Sequence, residues 1–214
     1  MEPGLLRNIA ASVHGRYLVR VPQQAGPWPL LVSFHGYGED AATSLAALQR
    51  IPNGSRWLTV AVQALHPFYT KSDRIVASWM TRQDRELAIA DNIRYVASVV
   101  EAVRSEFAVT HTIAFAGFSQ GGAMAYRAAA RISAAGVIVL AADVPPDVTT
   151  ALPPVLIGRG RGDAWYTEER MAADVRCLSG LAASVETCVF DGGHEWTDEF
   201  AVCAGGFLKR LAEI

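Results

Sequence analysis

The chain has 214 residues, 51% of them apolar and 19% charged, with a formal net charge of -2, a pI near 6.2 and a mean hydropathy of +0.19. That length fits one α/β domain, and that apolar share can bury both faces of a parallel sheet. The charge balance leaves no electrostatic footprint for nucleic acid or an anionic membrane, so a small organic substrate is expected and a nucleic-acid partner is not.

The chain opens on Met1-Glu2-Pro3-Gly4, an acidic start with no long apolar stretch behind it. This does not read as a secretory signal, and a cytoplasmic location is expected. Short apolar runs rich in β-branched or large residues predict strands over 17–21, 30–34, 57–62, 112–116, 137–141, 154–157 and 185–190. Helical patterns fall over 41–50, 121–133, 167–180 and 196–211. The clearest helix begins at Asp84 and carries Leu87, Ala90, Ile93, Ala97, Val100, Val103 and Phe107 at spacings of three and four. Thr81 ahead of Asp84 resembles its capping box. The longest apolar run, 134–142, stops at Asp143, far short of the ~20 residues of a spanning helix, so no integral membrane segment is expected. Alternating strands and helices predict a single α/β domain over 1–214 with a mostly parallel central sheet and helices on both faces.

The three cysteines, Cys177, Cys188 and Cys203, form no CxxC and no metal-ligand spacing. They are expected to pack as buried free thiols, with redox or metal chemistry as the alternative. No metal and no cofactor is expected.

In open parallel sheets, ligands bind beyond the carboxyl ends of the strands. The strand ending at Ala116 runs into Gly117-Phe118-Ser119-Gln120-Gly121-Gly122 and then an alanine-rich helix, a G-x-S-x-G placed between strand and helix. Such a turn holds its serine in a strained conformation, and glycines let the neighbouring chain approach without a Cβ clash. Ser119 is the candidate nucleophile. A serine hydroxyl needs a base, itself held by a third group. His194 follows the strand over 185–190 in Asp191-Gly192-Gly193-His194 and is the candidate base. His14, His66 and His111 sit near the N-terminus, in a long loop and at the wrong end of the nucleophile strand. Asp163, in Gly160-Arg161-Gly162-Asp163 after the strand over 154–157, is the candidate acid. Asp143 is the alternative, and Asp191 lies too close to the base in sequence. The strand over 30–34 ends in His35-Gly36-Tyr37-Gly38, whose small residues let backbone N–H groups face a substrate oxygen. The N–H groups of Tyr37 and Gln120 are the candidate oxyanion hole, with His35 as a structural residue.

Together these segments resemble the phospholipase/carboxylesterase family, which includes the acyl-protein thioesterases, and the likeness spans nearly the whole chain. The resemblance implies an α/β-hydrolase fold without a large lid and metal-free hydrolysis of a small-molecule ester or thioester by Ser119, His194 and Asp163. The loop that usually reads H-G-L-G-D has Tyr37 and Glu39 in its third and fifth places here, and neither removes a backbone donor. Trp79, Phe118 and Trp165 are candidate substrate contacts, with Trp196 a further aromatic near the cleft and core packing the alternative for the tryptophans. Carboxylesterase, thioesterase and lysophospholipase share these motifs, and the quaternary state, monomer or homodimer, is open. A binding protein on a hydrolase scaffold would be expected to have lost a triad residue, and a dienelactone-type hydrolase would carry cysteine at Ser119.

Overall fold

The structure, a computed structural model, describes residues 4–212; Met1, Glu2 and Pro3, on which the N-terminal expectation partly rests, lie outside them. In chain order the strands and α-helices are β1 (Arg16–Arg20), β2 (Trp28–Phe34), α1 (Ala41–Gln49), β3 (Leu58–Gln63), β4 (His66–Tyr69), β5 (Ile75–Ser78), α2 (Arg85–Glu106), β6 (Val109–Phe118), α3 (Gln120–Ala129), β7 (Gly136–Leu140), β8 (Val155–Gly160), α4 (Glu168–Leu178), β9 (Val185–Phe190) and α5 (Asp198–Ala212). Seven strands form one sheet in the order β1-β3-β2-β6-β7-β8-β9. Only β1 runs antiparallel, against β3.

Alternation along β7 sorts the helices onto the two faces. Gly136 leaves no room for a Cβ against Leu211 and Phe207 of α5, whereas Val139, an odd number of residues on, meets Gly122 of α3. Helices α3 and α5 therefore lie on opposite faces. Helix α1 shares the α5 side, since Gly205 packs on Pro52 just beyond it. Covered on both faces, the central strands are mainly apolar: Leu30, Leu31, Val32 and Phe34 of β2 are all buried, as is every residue of β7, and the buried Ser33 of β2 is satisfied by the Ser44 hydroxyl at 2.8 Å.

Three features differ from expectation. The antiparallel hairpin of β4 and β5 falls where a loop was expected, because each strand is only four residues long and β4 contains Pro67. It joins the rest through a bridge between Glu39 and Ala77. Thr81 does not cap α2: its hydroxyl closes a local turn on Gln83, and Asp84 has φ 47° and accepts from Asn8 Nδ2. Finally, the expectation of buried free thiols is overturned. Cys188 of β9 is bonded to Cys203 of α5, because the inward face of that edge strand brings residue 188 under the last helix, while Cys177 is free and exposed. No helix among the described residues is long and apolar enough to cross a membrane.

Candidate active site

Ser119 is the single residue between β6 and α3, with φ 51° and ψ -121°, a region that costs of order 1–3 kcal/mol and persists only where the surroundings impose it. They do so here: Ser119 N donates to Leu140 O at 2.9 Å, and Gly122 N donates to Ser119 O at 2.9 Å. The two motif glycines are steric requirements. A Cβ on Gly121 would collide with the carbonyl oxygens of Phe34 and His35, and one on Gly117 with the Gly121 carbonyl.

His194 stands in the loop after β9 with Nε2 2.8 Å from Ser119 Oγ and Nδ1 2.8 Å from Asp163 Oδ2. The other Asp163 oxygen accepts the N–H groups of Trp165 and Tyr166 at 2.8 and 2.9 Å. Burial alone would raise the Asp163 pKa, but the hydrogen bonds from Tyr166 N–H, His194 and Trp165 N–H outweigh it and hold the carboxyl below its usual value. An ionised Asp163 accepts a hydrogen bond from Nδ1–H and so holds the proton on that nitrogen, which leaves Nε2 as acceptor for the serine hydroxyl. The loops that carry Asp163 and His194 are tied directly, since Arg161 N donates to Phe190 O and Gly162 N to Gly192 O. Asp143, the alternative acid, pairs with Arg170 at 3.1 Å, and Asp191 pairs with Arg161 at 3.0 Å. Among the described residues no group of His, Cys, Asp and Glu could hold a metal ion.

His35 is structural. Its Nε2 accepts Ala64 N–H at 3.1 Å, so its Nδ1 carries the proton and donates to Gly36 O at 2.7 Å. Glu39 N–H donates to the same oxygen at 3.2 Å. In a planar trans peptide the N–H points opposite to the carbonyl, so holding Gly36 O aims Tyr37 N–H away from His35. Glu39 also accepts Gly36 N–H through Oε2 at 2.7 Å; burial pushes its pKa up, opposed by that bond. The Tyr37 ring is exposed and stacks on Phe68 at 5.5 Å.

A cleft of about 570 Å³ opens over Ser119. Tyr37, Gln120, Trp165 and His194 line it, with Arg85, Arg127, Arg170 and the 141–146 segment. Phe118 lines it too, its ring 4.9 Å from the His194 ring, and Trp165 is 76% exposed at the rim. Trp79 does not reach the cleft. It is fully buried, with Nε1 donating to His35 O at 2.8 Å and its ring edge-on to Phe34, because that indole N–H finds its partner inside. Trp196 likewise packs on Phe200, 5.0 Å between rings. Two features escaped the sequence: the Gln120 side chain, which bonds Trp79 N and Met80 O, and Ala141, whose φ of 55° sets the cleft wall.

No protein-family model and no curated protein matches the sequence. Solved structures match it over nearly its whole length. A carboxylesterase from Mesorhizobium loti aligns at TM-score 0.76 and 20% identity, over 91% of this chain and 94% of its own. The Bacillus cereus carboxylesterase aligns at 0.74 and 15%, over 92% and 94%. A phospholipase/carboxylesterase from Dyadobacter fermentans aligns at 0.70 and 22%, over 94% and 100%. At these identities the likeness establishes the fold: this is an α/β-hydrolase fold, and among the described residues no lid domain is inserted into it.

Proposed function

We propose that the chain hydrolyses carboxylic esters by two-step acyl transfer, with Ser119 as nucleophile, His194 as base and then acid, and Asp163 as the orienting carboxylate. The observation that carries this reading is the unbroken relay from Asp163 through His194 to Ser119, 2.8 Å at each link. His194 Nε2 takes the hydroxyl proton as Ser119 Oγ attacks the carbonyl carbon. The carbonyl oxygen becomes an oxyanion received by the N–H groups of Tyr37 and Gln120, each such donor contributing about 3 to 4 kcal/mol. As the oxyanion collapses, the alkoxide leaves with the proton from His194. A water then attacks the acyl-enzyme by the same route and frees Ser119.

The apolar wall of the cleft, with Phe118 and Trp165, suits an acyl chain or an apolar leaving group. Thioesters and lysophospholipids are alternatives that the same groups would cleave. A noncatalytic role is disfavoured, since a scaffold relieved of catalysis has no reason to keep Ser119 on a strained turn with His194 and Asp163 in line at bonding distance. A cytoplasmic location has the Cys188–Cys203 disulfide against it, because such bonds persist in oxidising compartments.

The test is to compare wild type with Ser119→Ala on p-nitrophenyl esters of increasing acyl length and on an acyl thioester. Turnover abolished by the substitution is the expected result, and the chain-length profile then separates esterase from thioesterase. Equal rates would overturn the triad, and a wild type inert on every ester and thioester would overturn the substrate class.

A further inference from the structure

The two proposed oxyanion donors come from distant parts of the chain, Tyr37 from the loop after β2 and Gln120 from the start of α3, yet both loops are bonded to the same short segment, residues 77–80 at the end of β5. On one side, Gly38 N donates to Ala77 O at 3.1 Å and Ala77 N donates to Glu39 O at 2.8 Å. On the other, Gln120 Oε1 accepts Trp79 N–H at 2.8 Å while Gln120 Nε2 donates to Met80 O at 2.9 Å. The segment is itself anchored in the core, since Asn92 Nδ2 donates to Trp79 O at 2.8 Å.

Resting on the serine-hydrolase reading above, we propose that residues 77–80 are a splint for the oxyanion hole, with Glu39 and Gln120 as the positioning residues that couple each donor loop to it. An amide stabilises the transition state only if it is aimed before the reaction begins, because turning it during the reaction consumes the energy it would supply. The Gly36–Gly38 stretch has little stiffness of its own, and Gly38 sits at φ 73°, so its peptide planes need outside partners. Glu39 provides two of them and ties the loop to the segment with a third bond: its carboxylate accepts Gly36 N–H, its N–H donates to Gly36 O, and its carbonyl accepts Ala77 N–H. The Gln120 amide bridges the chain from Trp79 N to Met80 O, a two-ended grip that fixes the first residue of α3. The hairpin thereby gains a role: it carries no reacting group, but it sets the distance between two loops that do.

The experiment uses the full chain and first establishes Ser119-dependent ester hydrolysis in wild type, so that a failure of the functional reading shows there and a failure of the splint shows only in the variants. Glu39→Gln keeps an acceptor for Gly36 N–H, whereas Glu39→Met keeps the length and loses it; Gln120→Ala removes the two-ended grip. Glu39→Met and Gln120→Ala are expected to lower kcat about tenfold or more, below the roughly 10²- to 10³-fold that follows deletion of one donor, with KM within about twofold. Glu39→Gln is expected to restore most of the Glu39→Met loss. Affinity for a boronic acid, whose tetrahedral serine adduct places an oxygen in the hole, should fall in proportion to kcat, with the thermal midpoint of Glu39→Gln and Glu39→Met alike. The proposal is overturned if kcat stays within twofold in both defective variants. Equal losses in Glu39→Gln and Glu39→Met, or a kcat loss with unchanged boronate affinity, overturn it as well. Should Gln120→Ala fail to fold, Gln120→Met, which keeps the length and loses both bonds to the segment, takes its place, and rates within twofold of wild type in that variant overturn the splint.

Discussion

Asp163 and His194 meet across two loops with Asp163 Oδ2 2.8 Å from His194 Nδ1, while the other Asp163 oxygen is already held by the N–H groups of Trp165 and Tyr166. The carboxylate cannot rotate without breaking both of those bonds, so the imidazole tautomer is set by the acid loop. Asp163→Asn would keep the acceptor for Trp165 and Tyr166 and turn an NH₂ toward Nδ1, placing the histidine proton on Nε2, where it blocks the serine hydroxyl. By analogy with other triads the expected loss in kcat is about 10⁴-fold, with circular dichroism unchanged. Steady-state rates on a p-nitrophenyl ester check it, and a loss under tenfold would show that Asp163 does not orient the base.

The same carboxyl predicts a difference in acid stability. Its folded pKa lies below the ordinary aspartate value of 3.8, so the folded protein binds fewer protons than the unfolded chain in that window, and stability rises with pH through it. The contribution is complete above the unfolded value and lost as pH falls through the folded one. Denaturant melts of wild type and Asp163→Asn should therefore differ most near neutrality, and the gap should narrow as pH falls below the ordinary aspartate value of 3.8. A gap that widens as pH falls below that value would contradict the assignment.

What was legible in the sequence follows from what periodicity and position can carry. The strands β2, β7 and β9 were visible because burial on both faces or alternation imposes a composition. Ser119, Asp163 and His194 were visible as candidates because Ser119 directly follows β6 and the other two lie in the loops just after β8 and β9, and the carboxyl edge of a parallel sheet is one place in space. The hairpin was not, because two four-residue strands interrupted by Pro67 carry too little pattern. The disulfide was not, because it depends on the register of β9 against α5. The position of Trp79 was not either, since an aromatic near a motif reads alike whether it walls a cleft or, as here, bonds His35 O in the core.

Gly121 illustrates a contact that a single methyl would break. A Cβ there would meet the carbonyl oxygens of Phe34 and His35, backbone atoms at the end of a central strand that has no room to yield. Gly121→Ala is expected to destabilise by about 1–3 kcal/mol and to depress turnover, by pushing α3 away from the oxyanion loop. Gly180→Ala is the control, since the nearest atom to its added Cβ is Cys177 O at 3.6 Å. Urea melts of the two variants should separate clearly, and equal midpoints would refute the packing argument.

The Cys188–Cys203 bond closes a chain segment with a sequence separation of 15, and His194 lies inside it. A loop of that size is worth about 3 kcal/mol through restriction of the unfolded chain. Thiol titration in denaturant should find one reactive cysteine, Cys177, before reduction and three after. Reduction should lower the melting temperature of wild type but not that of a Cys188→Ser/Cys203→Ser double variant. Three reactive thiols without reductant would remove the disulfide from the account.

Two ion pairs on the cleft wall should behave very differently, and burial decides which matters. The Arg127 side chain is 1% exposed and donates to both oxygens of Asp147 at 2.8 and 2.7 Å. The Arg170–Asp143 pair has both side chains more than half exposed. Exposed pairs contribute about 0–1 kcal/mol because water screens the attraction and both side chains lose freedom. Removing the partner of a buried cation leaves an uncompensated charge, which costs about 3–5 kcal/mol where both groups are buried. Asp147 is itself half in water, so a figure of about 2–3 kcal/mol is expected for Asp147→Ala, since solvent entering the gap recovers part of the loss. Asp143→Ala should stay within about 1 kcal/mol of wild type. Urea unfolding of the two variants at moderate salt measures both. Equal effects would mean that the Arg127 guanidinium finds water or a new acceptor when Asp147 is gone, and that the 141–146 wall is looser than its packing suggests.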